Sequence, residues 1–341
     1  MEALLQNPIA VLLFQFIVGF LLLIFGAEYL VRGAVALARR LGVSPLVIGM
    51  TIVSWGTTSP ELVVSVQAAS NNLPGISIGN VVGSNIANIL LILGLAAVIY
   101  PIAIPRAAIQ RDAFMMLGTA LLFCALALTG RIEQWQAGIM ITILVAFTIF
   151  AFWSEMRKGG SDEAEEDEGP AGPAWLSIVQ IVGGVASVVI GARLLVAGAV
   201  TMANYFKVPE EVIGLTIVAV GTSLPELATA VVAALRRQSA IAVGNILGAG
   251  MYNILMILGV VGLIVPIPIP EQIIRFDMWM MVFVTVVLLS FLLLRGGLSR
   301  PVGAMFLAGF VAYTALQYYG VDKAMNAVAQ MSGSASPAKT K

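Results

Sequence analysis

Two glutamates, Glu61 and Glu226, each sit in an otherwise apolar stretch, in the segments GTTSPEL (56–62) and GTSLPEL (221–227). A charge at the centre of a membrane span costs about 2.5–3.5 kcal/mol on insertion scales. Meeting that cost twice, at matching positions, points to one shared site that binds cations. Ser54, Thr57 and Glu61 are spaced i, i+3 and i+7, on one helix face, and Ala219, Thr222 and Glu226 repeat the spacing. A proline, Pro60 or Pro225, precedes each glutamate. Proline lacks an N–H, and its ring collides with the carbonyl four residues back. The carbonyls of Gly56 and Gly221 are therefore expected to be freed, and those of Thr57 and Thr222 loosened. In lipid a freed carbonyl is tolerated only where it lines a cavity. Each motif thus offers a carboxylate, hydroxyls and carbonyl oxygens at one depth. Calcium takes about six to eight such hard oxygens in flexible geometry, whereas magnesium demands a tighter octahedron. Two carboxylates balance one divalent ion or two monovalent ions, the equality that competitive exchange at one site needs.

The glutamates belong to a repeated block. Gly49–Gly94 and Gly214–Gly259 align without a gap at an offset of 165, with 22 of 46 positions identical. Beyond the block, Gly26, Gly33, Pro101, Pro105 and Asp112 match Gly191, Gly198, Pro266, Pro270 and Asp277. Within it, Gly79, Asn80, Gly83, Ser84 and Asn88 match Gly244, Asn245, Gly248, Ala249 and Asn253. Asn80, Ser84 and Asn88 are four apart, one polar stripe facing the glutamate helix. The pairs Gly79/Gly83 and Gly244/Gly248 read as packing positions that let helix backbones approach. Asn80 and Asn245 fit interhelical clamps and ligands equally well.

The surrounding elements follow from composition. The chain has 341 residues, 60% hydrophobic and 11% charged, against roughly 25% charged in soluble domains. Apolar runs near the length of about 20 residues that a span needs recur throughout. The expected fold is an all-α polytopic membrane protein of ten transmembrane helices, over 8–37, 46–70, 76–100, 107–130, 135–157, 174–203, 211–235, 241–264, 272–295 and 300–319. These divide into a first five-helix repeat (1–157), an acidic linker (158–173), a second repeat (174–320) and a polar tail (321–341) expected to be disordered. Five helices are an odd number, so the second repeat enters the membrane from the opposite side. Inverted repeats of this kind build secondary transporters with a midplane site. With both termini outside, Lys and Arg number eleven inside against six outside, as the positive-inside rule prefers. The linker, with SDEAEEDEGP, then lies in the cytoplasm as a solvated connection. A weak regulatory calcium sensor is the alternative there.

Further residues bound the chemistry. There is no histidine and one cysteine, Cys124, so imidazole relays, His-ligated zinc and an intrachain disulfide are excluded. The formal net charge of zero suggests no nucleic-acid partner. The start MEALLQNP lacks the basic region of a cleaved signal peptide, so the first apolar run reads as a true span. Glu28 and Arg32 are spaced for a local ion pair; Glu28's repeat mate, Arg193, belongs near the other face and is not expected to meet it. Asp112 and Asp277 flank spans and are expected at the interfaces.

The residues GTTSPEL with GNVVGSNIANILLILG (79–94), and GTSLPEL with GNILGAGMYNILMILG (244–259), resemble the two α-repeats of the calcium/cation antiporter superfamily, most closely its prokaryotic sodium/calcium exchangers. The likeness covers nearly the whole chain. It implies an antiporter in a cell inner membrane with Ca2+ and Na+ as substrates and four ion sites at the midplane. The implied first-half ligands are Ser54 (backbone carbonyl), Thr57, Glu61, Ser84 and Asn88; the second-half ligands are Ala219 (backbone carbonyl), Thr222, Ser223, Glu226 and Asn253. It further implies that helices one and six slide over a rigid eight-helix core, with a monomer sufficient. The chain departs from the family at Gly248-Ala249-Gly250, where a serine hydroxyl is expected at 249, and at Asn253, where potassium-dependent relatives carry Asp. The resemblance therefore does not extend to the usual three-sodium stoichiometry, and it argues against potassium co-transport. Protons could replace sodium, since burial disfavours a charged carboxylate. A channel is disfavoured because the pseudo-axis lies in the membrane plane within one chain. No nucleophile–base pair, phosphate loop or cofactor motif marks an enzyme.

Overall fold

The computed structural model describes residues 8–71, 73–157, 173–205 and 219–319. The acidic linker (except its last residue), the polar tail and the 211–218 part of the expected seventh span lie outside the described residues. Twelve helices are described: α1 (Pro8–Leu41), α2 (Pro45–Thr57), α3 (Ser59–Ser70), α4 (74–99), α5 (Arg106–Ala127), α6 (Gln134–Arg157), α7 (Ala174–Tyr205), α8 (Ala219–Thr222), α9 (Leu224–Leu235), α10 (Ser239–Ile264), α11 (Ile273–Arg295) and α12 (Arg300–Tyr319). Helical structure thus occupies every expected range, 211–218 aside. Seven of these helices, α1, α4, α5, α6, α7, α10 and α11, are long and apolar enough to cross a membrane; α2 and α9 are shorter apolar helices. The expected second and seventh spans are each interrupted. The breaks fall at Thr58 and Ser223, just ahead of Pro60 and Pro225. A proline is accommodated in the first turn of a new helix but not inside an old one.

Four two-residue strands tie loops together. β1 (Ile102–Ala103) pairs antiparallel with β4 (Gly297–Leu298), and β2 (Arg131–Ile132) with β3 (Ile267–Pro268). β1 and β2 bracket the 22 residues of α5, which span about 33 Å at the helical rise. The two ladders therefore sit at opposite ends of that helix, and each joins a first-half loop to a second-half loop. In the 165 offset β1 is the mate of β3, so matched loops lie at opposite ends.

The buried side chains form two clusters. The larger runs through α4, α5, α6, α10, α11 and α12, with Phe123 and Phe306 fully buried in it. The smaller gathers α1 and α7 around Ala27, Leu30, Val31, Ile181 and Val188, against one face of α2 and α9. Outward-facing side chains are large and apolar, including Phe14, Ile17, Phe20, Phe114, Ile149 and Phe283. Trp135 and Trp175 open α6 and α7, and Trp153 lies near the end of α6; all three are exposed. Aromatic rings at helix ends suit membrane–water interfaces.

The α1–α7 contact is made by glycines seven apart. Gly19, Gly26 and Gly33 on α1 match Gly184, Gly191 and Gly198 on α7. A Cβ on Gly26 would stand 2.6 Å from Ser187 Cβ, one on Gly184 2.7 Å from the Leu30 backbone nitrogen, and one on Gly191 2.7 Å from the Gly19 carbonyl. Backbone therefore rests on backbone, and the two helices pack as one unit. Gly244 and Gly248 do the same against the backbone of Leu46 and Met50 in α2. At Gly79 and Gly83 the expected packing is absent: among the described residues no atom lies within 4 Å of where a Cβ would stand. Asp112 and Asp277, in the opening turns of α5 and α11, are buried. Donors make burial tolerable. Arg111 grips Asp112 through Nε at 2.6 Å and Nη2 at 3.1 Å, while Tyr313 (3.0 Å), Gln272 (3.1 Å) and Gln317 donate to Asp277.

Gly183, beside Gly184, has open space around its Cβ position. Thermal unfolding in detergent is expected to show Gly184→Ala destabilised by about 1–3 kcal/mol, the cost of overpacking, with Gly183→Ala unchanged. Equal effects would contradict the backbone-on-backbone contact.

Candidate functional site

Glu61 and Glu226 each stand in the first turn of the helix that follows a break, α3 and α9. The N-terminal end of a helix favours negative charge, so two helix N-termini support the two carboxylates. Both side chains are buried, each 1% exposed. Each accepts a hydrogen bond from the other half. Ser223 Oγ donates to Glu61 Oε1 at 3.0 Å, and Thr58 Oγ1 donates to Glu226 Oε1 at 3.2 Å. Thr58 and Ser223 are repeat mates at the two helix breaks. The same proline-driven break that starts each new helix thus aims a hydroxyl at the opposite glutamate. Thr222 also reaches Glu61, and Thr57 reaches Glu226.

Asn88 and Asn253 lie within wide π-type turns, Asn88–Leu93 in α4 and Tyr252–Leu258 in α10. Such turns are frequent at functional sites. The turn of Asn88 packs against α9, the helix of Glu226, and the turn of Asn253 packs against α3, the helix of Glu61. Each asparagine therefore belongs to a turn that packs against the other half's carboxylate helix. Among the described residues, four oxygens here are buried without a hydrogen-bond partner: Glu61 Oε2, Glu226 Oε2, Asn88 Oδ1 and Asn253 Oδ1. They form two repeat-mated pairs. A buried acceptor left unpaired costs about 1–3 kcal/mol, more when charged. Four unpaired acceptors against one unpaired donor, the Asn245 amide nitrogen beside Ser54 and Thr57, make an environment that favours a cation.

The remaining expected residues divide. Ser54 and Thr57 are fully buried. Ser54 Oγ donates to the carbonyls of Gly49 and Asn245, each at 2.8 Å, and Thr57 Oγ1 approaches Asn245 Oδ1 at 3.2 Å. The Ser54 carbonyl already accepts the Thr58 N–H at 2.9 Å. Asn245 thus clamps α10 to α2, and Asn80 clamps α4 to α3 by donating to Ser65 Oγ (3.0 Å) and the Glu61 carbonyl (3.3 Å). Ser84 is buried one turn before Asn88. Ala219 opens α8, and Thr222 closes it. Ala249 brings only a methyl where the first half has Ser84. Thr58 was not among the expected ligands, although its register with Ser223 marks it. Two cavities reach the centre, one touching Asn80, Ser84 and Ser223 beside α12, the other touching Pro60 and Thr222 beside α7.

Comparison with known proteins places these residues in context. The family model described as sodium/calcium exchanger protein matches residues 11–153 and 176–319. The inner membrane protein YrbG of Escherichia coli is 35% identical over 315 residues, covering 89% of this chain and 95% of YrbG. The sodium/calcium exchanger MaX1 of Methanosarcina acetivorans is 32% identical over 341 residues, covering 89% of this chain and 97% of MaX1. A structure of the sodium-calcium exchanger NCX_Mj, soaked with 10 mM Na+ and zero Ca2+, superposes with a TM-score of 0.79 at 32% identity, covering 91% of this chain and 99% of that one.

Thr58→Val and Ser223→Ala each remove one hydroxyl donor from the opposite carboxylate. With 45Ca2+ as a divalent probe of purified protein, each is expected to weaken binding roughly tenfold, the worth of a hydrogen bond to a charged group. An effect of Ser223→Ala without a matching effect of Thr58→Val would break the reciprocity.

Proposed function

The chain belongs to the sodium/calcium exchanger family, and from that membership we propose a secondary active antiporter that exchanges Ca2+ for Na+ by alternating access at a site built on Glu61 and Glu226. The observation that carries this reading is the set of four buried oxygens without donors on Glu61, Glu226, Asn88 and Asn253. Ser54, Thr57, Ser84, Ala219, Thr222 and Ser223 complete the proposed ligand set, Pro60 and Pro225 shape it, and the glycines at 79, 83, 244 and 248 flank it. The proposed frame is ten spans in two inverted five-helix repeats, 1–157 and 174–320, joined by a cytoplasmic linker at 158–173 and followed by a tail at 321–341. The loop ladders at opposite ends of α5 and the crossed hydroxyl bonds support that inversion. The proposed location is a cell inner membrane, with both termini outside and the lipid bilayer as the surrounding partner.

Coupling follows from charge. With both carboxylates ionised, the site holds one Ca2+ or the competing monovalent ions. A loaded site hides its charge as α1 and α7 slide, whereas two bare carboxylates oppose the passage. Ala249 removes one oxygen from the second half, so fewer than the family's usual sodium ions are proposed to bind at once.

Proteoliposomes provide the test. Calcium uptake is expected to follow an opposed sodium gradient, to show counterflow in zero net gradient, and to vanish in Glu61→Gln and Glu226→Gln. Uptake driven by a pH gradient and indifferent to sodium would replace sodium by protons as the coupling ion. Absence of counterflow would indicate a channel.

A further inference from the structure

The repeats match in sequence, yet the interfaces that α1 and α7 make with the rest of the molecule do not match. On the side proposed as cytoplasmic, Ala27 and Val31 of α1 are buried against Ala228, Val232 and Ala233 of α9. The mated interface on the other side lies between α7 and α3. There Ala192 and Val196 face Pro60 and Val63 across a cavity of about 250 Å3 that reaches Thr222. One side is packed and the other is open.

Charge follows the same division. Glu28 on α1 pairs with Arg32 one turn along its own helix, through Nε at 2.7 Å, and with Arg236 at the C-terminal cap of α9. The second pair joins the α1–α7 unit to a helix that also packs into the larger core through Ala230 and Ala234. The repeat mates of Glu28 and Arg236 are Arg193 and Asn71. Arg193 lines the open cavity, and Asn71 caps α3. Among the described residues, the mated pair is therefore an arginine and an asparagine, which form no ion pair.

We infer that Glu28 and Arg236 are positioning residues for exchange: their ion pair latches the packed side shut, and because the repeat-mated positions on the opposite side, Arg193 and Asn71, cannot form the same pair, it weights the alternation toward the outward-open state. The consequence for transport rests on the antiporter reading and its orientation. The latch itself rests on the contact across α1 and α9.

The test uses the full chain in membranes, with Cys124→Ala and a single reporter thiol. Val63→Cys reports the open gap, and Ala228→Cys reports its packed mate. Labelling by a water-soluble maleimide, without cargo ions, is expected to be faster at the first position. Adding Glu28→Gln or Arg236→Gln is expected to slow labelling at Val63→Cys and speed it at Ala228→Cys. The ratio should shift about fivefold, the effect of a partly exposed ion pair on a two-state population. Arg236→Lys should restore most of the ratio. The two neutral variants lie on separate helices, so failure of one to fold leaves the other decisive. An unchanged ratio in the folded neutral variants, or an equal shift in Arg236→Lys, overturns the latch. A shifted ratio in a protein that shows no sodium-dependent calcium flux supports the latch and sinks the antiporter reading instead.

Discussion

Buried oxygen must be satisfied, and at the centre of this protein it is not. Glu61 and Glu226 each accept a hydroxyl hydrogen bond from the opposite half at one oxygen, and the second oxygen has no partner among the described residues, nor do the side-chain oxygens of Asn88 and Asn253. Natural interiors pair almost all such groups. Under the proposed function, the unfavourable term carried by these unpaired acceptors is what a bound cation would remove. The helix breaks at Thr58 and Ser223, the prolines behind them and the wide turns at Asn88 and Asn253 all serve this arrangement. Each one brings an oxygen, or the hydroxyl that orients it, to the same place.

The arrangement also needs both halves at once. Neither half satisfies its own glutamate; the hydroxyls cross, and each asparagine turn packs against the other half's carboxylate helix. The candidate site therefore exists only where the halves meet, which under the proposed function ties ion occupancy to their relative position. The glycine-backed contact of α1 with α7 makes them one packed unit, which the proposed function has sliding against the larger core. Asymmetry enters at the edges of that unit, where one interface is packed and carries an ion pair while its mate is a cavity.

Much of this was legible in the chain. The repeat offset, the paired glutamates and their prolines mark the site because polar groups in apolar runs stand out and an offset of 165 can be counted. Thr58 was equally visible through its register with Ser223, and was missed because attention to spacing within one helix favours same-face residues over the residue at the break. The crossing of Asn88 and Asn253 to the opposite half was not legible, since sequence gives order along a helix but not which neighbour it faces. The same limit applies to Glu28, whose second partner lies 208 residues away. The position of Asp112 and Asp277 near span ends was legible, but not the donors from Arg111 and from Tyr313 with Gln317 that let them be buried. The glycine pairs were read as equivalent, yet only Gly244 and Gly248 meet backbone among the described residues.

The central claim is that one cation is held jointly by the two glutamates. Anomalous scattering from crystals grown with Sr2+ as a calcium substitute tests it most directly. The account predicts one peak between Glu61 and Glu226, within coordination distance of both carboxylates and lost in Glu226→Gln. A peak bound to one half alone, or none near the glutamates in a crystal that holds strontium elsewhere, would contradict it.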